Sequence, residues 1–298
     1  RVGGESLVIV QSTEFPLYQH YLDGQDITPI LSQRAGLGFN CLRVWLLMVP
    51  NPTISPNGFL PSNYPDFYSK LVPFAQLCAS YGHIVEFTVF TSTKIAMPNQ
   101  ADQINHWNQT CDALRGQNNV LIEMVNESDQ HDNEVTAALR KPNGLIASHG
   151  SNGADHKGVE PFWDYTQYHT NGLSEWQRKV GHNAMEIADQ ANIPCLTNEN
   201  TRFTDGDNSS FHAHDAMAGS TLLNCGACFH SISGKLSQLF SGDELDRAEN
   251  WVAGARSVPL EYQTGQYIHR QDLEGPGVIR VYERKLAPGN SWIVSIRE

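Results

Sequence analysis

Short apolar runs alternate along the chain with stretches of helical periodicity. The apolar runs are Leu7–Val10, Cys41–Met48, His83–Phe90, Val120–Val125, Gly144–Ala147, Trp163–Tyr168, Ile193–Thr197 and Gly226–Phe229. Runs of this length, bounded by Gly, Pro and Asn, read as strands, and strands that alternate with helices build a parallel sheet. The helical stretches place apolar residues three and four apart. Asp26 caps one that carries Ile27, Ile30 and Leu31 and ends at Gly36. Asp66–Tyr81 sets Leu71, Phe74, Leu77 and Cys78 on one stripe and stops at Gly82. Asp102–Leu114, Glu134–Leu139, Ser174–Ala191, Ala213–Leu223 and Asp243–Ala255 complete the set. The Gly-rich stretch from His149 to Pro161 has no apolar stripe, so a loop is expected where the fifth helix of the series belongs.

Eight βα units predict a (β/α)8 TIM barrel with a missing or degenerate fifth helix, a fold that typically takes about 250 residues. Beyond the eighth unit, 278–283 and 292–296 alternate apolar with polar around the turn cluster Ala287-Pro-Gly-Asn290, which predicts a β-hairpin over 276–298. With no linker or repeat in view, residues 1–298 are expected to form one catalytic domain and a monomer.

Composition narrows the function. The formal net charge of −12 offers no basic footprint for phosphate binding, which argues against nucleic acid as partner. No run approaches the ~18 apolar residues of a membrane helix, so no membrane partner is expected either. The chain begins at Arg1 without a signal-like segment; any targeting peptide is expected to have been removed or not included, and a secreted or extracellular location is expected. Six cysteines, mostly in apolar runs, read as buried thiols. Cys225-Gly-Ala-Cys228 lacks the second ligand pair that a structural zinc site needs, so neither metal nor cofactor is expected.

Catalytic groups of such a barrel sit where strands end and βα loops begin. Strand four runs into Asn126-Glu127 and strand seven into Asn198-Glu199. A pair of carboxylates across a barrel mouth suits glycosidic bond cleavage, one as acid and the other as nucleophile or base. Arg43 is a costly charge inside an apolar strand and needs an acidic partner, for which Glu199 is the candidate. Trp45 follows Arg43 at period two and shares its inward side. Trp107, in mid-helix, reads as core.

Gly38-Phe-Asn-Cys-Leu-Arg43-Val-Trp, Val120-Leu-Ile-Glu-Met-Val-Asn126-Glu127 and Asn198-Glu199 resemble the strand-two, strand-four and strand-seven signatures of clan A retaining glycoside hydrolases. Family 5 and its cellulase- and mannanase-like members are nearest in style. The resemblance implies Glu127 as acid/base, Glu199 as nucleophile, Asn126 on the sugar 2-hydroxyl and Arg43 holding Glu199 ionised. It also implies a β-linked poly- or oligosaccharide substrate, cleaved with retention. Two departures stand out. The strand-six segment Asp164–Asn171 matches the clan's His-x-Tyr at His169 but carries Asn171 in the Tyr position, leaving Tyr168 or His169 to orient the nucleophile. Strand eight reads Phe229-His230-Ser231 where the clan offers a Trp platform, which puts His230 on the rim. Trp45, Trp163, Tyr165 and His230 are the candidate sugar contacts. Two other readings remain open: a metal-dependent barrel hydrolase built on His212 and His214, and a non-catalytic carbohydrate-binding barrel.

Overall fold

The computed structural model describes residues 8–127, 134–152, 163–169, 180, 184, 194–199, 210–223, 225–258, 266–269, 278–287 and 290–297. Eight parallel strands pair in chain order: β1 (Val10–Thr13), β2 (Cys41–Trp45), β3 (Ile84–Phe90), β4 (Val120–Val125), β5 (Ile146–Asn152), β6 (Thr166–His169), β7 (Cys195–Asn198) and β8 (Gly226–Phe229). The last returns to β1, with Val10 opposite Ala227, and closes the barrel. β4 and β8 fall where the apolar pattern places them. β1, β5, β6 and β7 start two to three residues later than expected, and the first three end in polar sequence, Gln11-Ser-Thr, His149-Gly-Ser-Asn and Gln167-Tyr-His. The reason is the barrel interior, which is not filled by branched aliphatic side chains.

Helices pack on the outer face of the barrel: α1 (Leu17–Leu22), α2 (Thr28–Leu37), α3 (Leu71–Ser80), α4 (Thr93–Ala96), α5 (Gln100–Leu114), α6 (Ser210–Leu222), α7 (Ile232–Lys235) and α8 (Gly242–Ser257). α5 is capped by Asn99, whose side chain accepts a hydrogen bond from the Ala101 amide at 2.8 Å. α8 opens with Asp243 and Glu244 and closes with Arg256, charges that complement the helix dipole. α2 stops at Gly38, whose φ of 113° no side chain would favour.

The expected helix over Glu134–Leu139 is instead a series of turns. Its six positions are too few to sustain an isolated helix, and its backbone is engaged by Gln103, which donates to Glu134 O and accepts from Thr136 N. The loop expected from His149 begins later, because β5 continues to Asn152; the rest of that stretch, 153–162, lies outside the described residues. Of Ser174–Ala191, Val180 and Ala184 are helical and buried, and the remainder lies outside the described residues. The C-terminal hairpin is part of a three-stranded antiparallel sheet. β9 (Gln266–His269), unforeseen in the sequence, joins β10 (Val278–Ala287) and β11 (Asn290–Arg297) in the order β11-β10-β9.

Two apolar clusters fasten helices to strands. Leu42, Val44, Val85, Phe87, Ile122 and Met124 face outward and meet Phe74 and Cys78 of α3 and Trp107 and Leu114 of α5. Val10, Ala227 and Phe229 meet Ala213 and Met217 of α6 and Trp251 and Val252 of α8. Burial of each large side chain is worth about 1.5–3 kcal/mol. α6 and α8 approach closely at Gly254, where an added Cβ would sit 2.2 Å from His214 O.

The other strand face points into the barrel, and there the residues are polar. Gln11 and Thr13 of β1, Arg43 of β2, Glu86 and Thr88 of β3, Glu123 of β4 and Gln167 and His169 of β6 are all buried. Charged groups in such a place must be paired or hydrogen-bonded, and their pairing determines the site above them.

Candidate active site

Arg43 is the hub of the interior. It is fully buried, and its Nε and Nη2 grip the Glu123 carboxylate at 2.9 and 3.0 Å. Nη1 donates to Glu199 Oε1 at 2.9 Å and Nη2 to Asn126 Oδ1 at 2.7 Å. One guanidinium therefore ties together the ends of β4 and β7. Burial opposes the charge on Arg43, but Glu123, Glu199 and Glu86 outweigh it and hold the group ionised. Thr88 Oγ1 adds a short hydrogen bond to Glu123.

Glu86 sits one layer deeper. It accepts hydrogen bonds from Gln11 Nε2 at 2.7 Å, Tyr165 Oη at 2.6 Å and Gln167 Nε2 at 2.6 Å. Burial, reinforced by the neighbouring Glu123, pushes its carboxyl up to about 7 against the pull of Arg43 and these donors. Glu86 and Glu123 were missed in the sequence. The signal was present: each is a charge inside an apolar run, the same argument that singled out Arg43.

Above this network the chain leaves β4 and β7 by the same step. Glu127 has φ 49° and Glu199 has φ 55°, both in the left-handed region. A side chain in that conformation costs roughly 1–2 kcal/mol, so the surrounding structure must impose it twice. The result is a convergent set: one carboxylate oxygen each of Glu127 and Glu199 and a ring nitrogen of His169 lie within 4.8 Å of one another. His169 Nδ1 is 3.5 Å from Glu127 Oε1 and 3.8 Å from Glu199 Oε2. Glu127 is the more open of the two, with 27% of its side chain exposed against 10% for Glu199. Burial alone would raise the Glu199 carboxyl; the positive surroundings, led by His169 and including Arg43 and its hydrogen bond, win, and the group is held well below the usual carboxylate range.

His230, at the end of β8, is buried beside this pair, and its Nδ1 lies 2.9 Å from Thr13 Oγ1. Burial, opposed by Glu199, lowers its pKa to about 3, so the imidazole is neutral at working pH. Its ring packs 5.7 Å from Phe15, which in turn stacks on the partly exposed Trp45 at 3.6 Å. His230 Nε2, Trp45 Nε1, both ring nitrogens of His169 and both side-chain polar atoms of Asn198 are buried without a hydrogen-bond partner among the described residues. Each such atom costs about 1–3 kcal/mol, and their gathering at one end of the barrel marks a surface built to meet a polar ligand.

The structure thus brings together Glu127, Glu199, Arg43, Asn126, His169 and His230, with Trp45 adjoining through Phe15. Other expected contacts lie elsewhere. Trp163 is in the core, edge-on to Trp107 at 6.4 Å, and Tyr165 is buried inside the barrel on Glu86. Tyr168 is buried on the opposite face of β6 from Gln167 and His169, because strand side chains alternate. Asn171 lies outside the described residues. His212 and His214 are partly exposed on α6; His214 pairs with Asp215 at 3.3 Å, and neither histidine joins a group of three potential ligands among the described residues. Among the described residues, the group that could hold a metal is Glu127, His169 and Glu199, at the ends of β4, β6 and β7. All six cysteines are buried thiols.

Solved structures with this arrangement of strands and helices include a broad-specificity GH5-4 endoglucanase from Clostridium longisporum, with a TM-score of 0.54 and 9% identity over 86% of this chain and 97% of that one. A GH113 β-mannanase from Alicyclobacillus acidocaldarius aligns with a TM-score of 0.55 and 9% identity over 84% and 96% of the two chains. The endo-1,4-β-mannanase from Rhizomucor miehei gives 0.55 and 10% over 86% and 96%. The chain has the barrel fold of these enzymes. No protein-family model matches the chain, and no curated protein matches it by sequence. The structural neighbours are β-glucanases and β-mannanases at identities where the fold, not the chemistry, is what is shared. No helix among the described residues is long and apolar enough to cross a membrane.

Proposed function

We propose that the protein is a retaining glycoside hydrolase acting on a β-linked poly- or oligosaccharide, with Glu127 as acid/base and Glu199 as nucleophile. The observation that carries this reading is the proximity of the two carboxylates at the ends of β4 and β7, which bring one oxygen each within 4.8 Å of the other. Retaining enzymes hold their carboxyl groups about 5–5.5 Å apart, whereas inverting ones leave about 6.5–9.5 Å for a water. The environments divide the labour. His169 and the hydrogen-bonded Arg43 keep Glu199 ionised, as attack on the anomeric carbon requires. Glu127, open on one side, can protonate the departing oxygen and then activate water to release the glycosyl-enzyme. Asn126, its carboxamide oxygen fixed by Arg43, offers its NH2 group to the sugar 2-hydroxyl. The neutral His230 in place of an aromatic platform gives the sugar a hydrogen-bonding neighbour rather than a stacking face.

Aryl β-glycosides, β-glucans and β-mannans should be hydrolysed by the protein and not by its Glu127→Ala and Glu199→Ala variants. Unchanged hydrolysis in both variants would refute the assignment. Proton NMR of the first-formed anomer tests the stereochemistry: an inverted product removes retention and leaves the two glutamates in place.

A further inference from the structure

We propose that Glu127, His169 and Glu199 bind one first-row divalent cation, Zn2+ being the representative, when no sugar is bound, and that cation and sugar exclude one another. The exclusion rests on the catalytic reading above; the binding does not. His169 carries the argument. It is 3% exposed, neither ring nitrogen has a hydrogen-bond partner among the described residues, and Nδ1 stands between two carboxylate oxygens at 3.5 and 3.8 Å. Buried imidazoles normally have both nitrogens engaged, and a ring nitrogen set between two carboxylate oxygens completes a ligand set of one imidazole and two carboxylates.

The dimensions suit a small ion. Zinc bonds of about 2.0–2.2 Å at tetrahedral angles place ligand atoms about 3.3–3.6 Å apart. The two His169 separations need to shrink by only a few tenths of an ångström, and the third pair starts within 4.8 Å. One imidazole with two carboxylates favours Zn2+ and its neighbours over Mg2+ or Ca2+, which take oxygen ligands throughout. Glu199 already has the orientation a ligand needs, since Arg43 holds Oε1 and leaves Oε2 as the oxygen nearer His169. The Arg43 charge does not forbid a cation, because Glu123 pairs with it through two hydrogen bonds. Three protein ligands leave a coordination position open, in the space that the reacting sugar would occupy.

Calorimetric titration of the metal-free full chain with ZnCl2 should show one Zn2+ per chain, and MgCl2 should show none under the same conditions. Binding should be lost in His169→Ala and in Glu127→Gln, the latter altering a partly exposed rim residue and leaving the fold intact. It should survive in the His212→Ala/His214→Ala double variant. Zn2+ should raise the apparent KM for an aryl β-glycoside without lowering kcat. Absence of stoichiometric binding, its persistence in both His169→Ala and Glu127→Gln, or its loss in the His212/His214 variant overturns the site; a fall in kcat at constant KM overturns the exclusion. Hydrolysis without Zn2+ binding would remove this inference alone. Zn2+ binding without hydrolysis would keep the site and remove the catalytic reading.

Discussion

Replacing Arg43 with Met removes the charge that holds the barrel interior together while filling most of its volume. In the folded protein the guanidinium makes hydrogen bonds of 2.9 and 3.0 Å to Glu123, 2.9 Å to Glu199 and 2.7 Å to Asn126 with no exposure to water. Without it, Glu123 is buried without its cationic partner and Glu199 loses its hydrogen-bonded one. Breaking a buried pair from one side costs about 3–5 kcal/mol. An independent bound agrees: an orphaned carboxylate can escape by taking a proton, which for a group of ordinary pKa near 4.3 costs about 4 kcal/mol at pH 7 and about 1 kcal/mol at pH 5. The sign follows from linkage. In the native protein Glu199 is depressed, so its contribution is fully present above the unfolded pKa and is lost as pH falls below it toward the lower folded value. In the variant the orphaned carboxyls are raised by burial, so their penalty is full at neutral pH and fades on acidification. Both effects shrink the difference between the two proteins at low pH. Urea denaturation followed by tryptophan fluorescence should give a loss of about 3–5 kcal/mol at pH 7 and roughly half or less at pH 5. A loss below about 1 kcal/mol at pH 7, or one that does not shrink at pH 5, would refute the picture of Arg43 as the neutralising centre.

Glu86 titrates in the opposite sense. Its carboxyl is pushed up to about 7, so the folded state binds a proton that the unfolded chain releases, and stability declines as pH rises from about 4.5 to about 7. Glu86→Gln cannot ionise; its melting temperature relative to the native protein should rise between pH 5 and pH 8, by an amount on the order of 3 kcal/mol in stability, and a pH-independent difference would count against the raised pKa. Gly254→Ala would place a Cβ 2.2 Å from the backbone oxygen of His214 and force α6 and α8 apart. The overpacking, roughly 1–3 kcal/mol, exceeds the gain of about 1 kcal/mol from replacing a helical glycine. Thermal unfolding should therefore occur at lower temperature, and an unchanged or higher midpoint would show that the helices part freely.

The barrel was legible in the sequence because its strands are apolar on their outer faces, and β4 and β8, bounded by sharp changes in polarity, were placed to the residue. β1, β5 and β6 were placed early because Gln11, Thr13, Gln167 and His169 face inward and mimic loop composition. The ends of β4 and β7 drew attention to Glu127 and Glu199 for the same reason: an apolar run stopping at a carboxylate. What could not be read was direction among aromatic side chains. Trp163 and Tyr165 precede a strand end as a sugar platform would, yet one is claimed by the outer core and the other by Glu86. Arg43 was matched to one carboxylate when the strands hold three within reach, because a period-two pattern shows which residues share a face and not how far across a barrel they extend. The turns at Glu134–Leu139 depend on a glutamine in α5 and have no local sign.

The left-handed backbone at Glu127 and Glu199 sets selection for stability against selection for chemistry. At position 127 a glycine would adopt the same φ without the steric penalty, and the carboxylate given up there stands partly in water, where its contacts contribute least to the fold. At position 199 the buried bond to Arg43 outweighs any such relief. A library enriched only for heat resistance should therefore accumulate Gly at 127 while keeping Glu at 199, and would discard one half of the carboxylate pair in the name of a sturdier barrel.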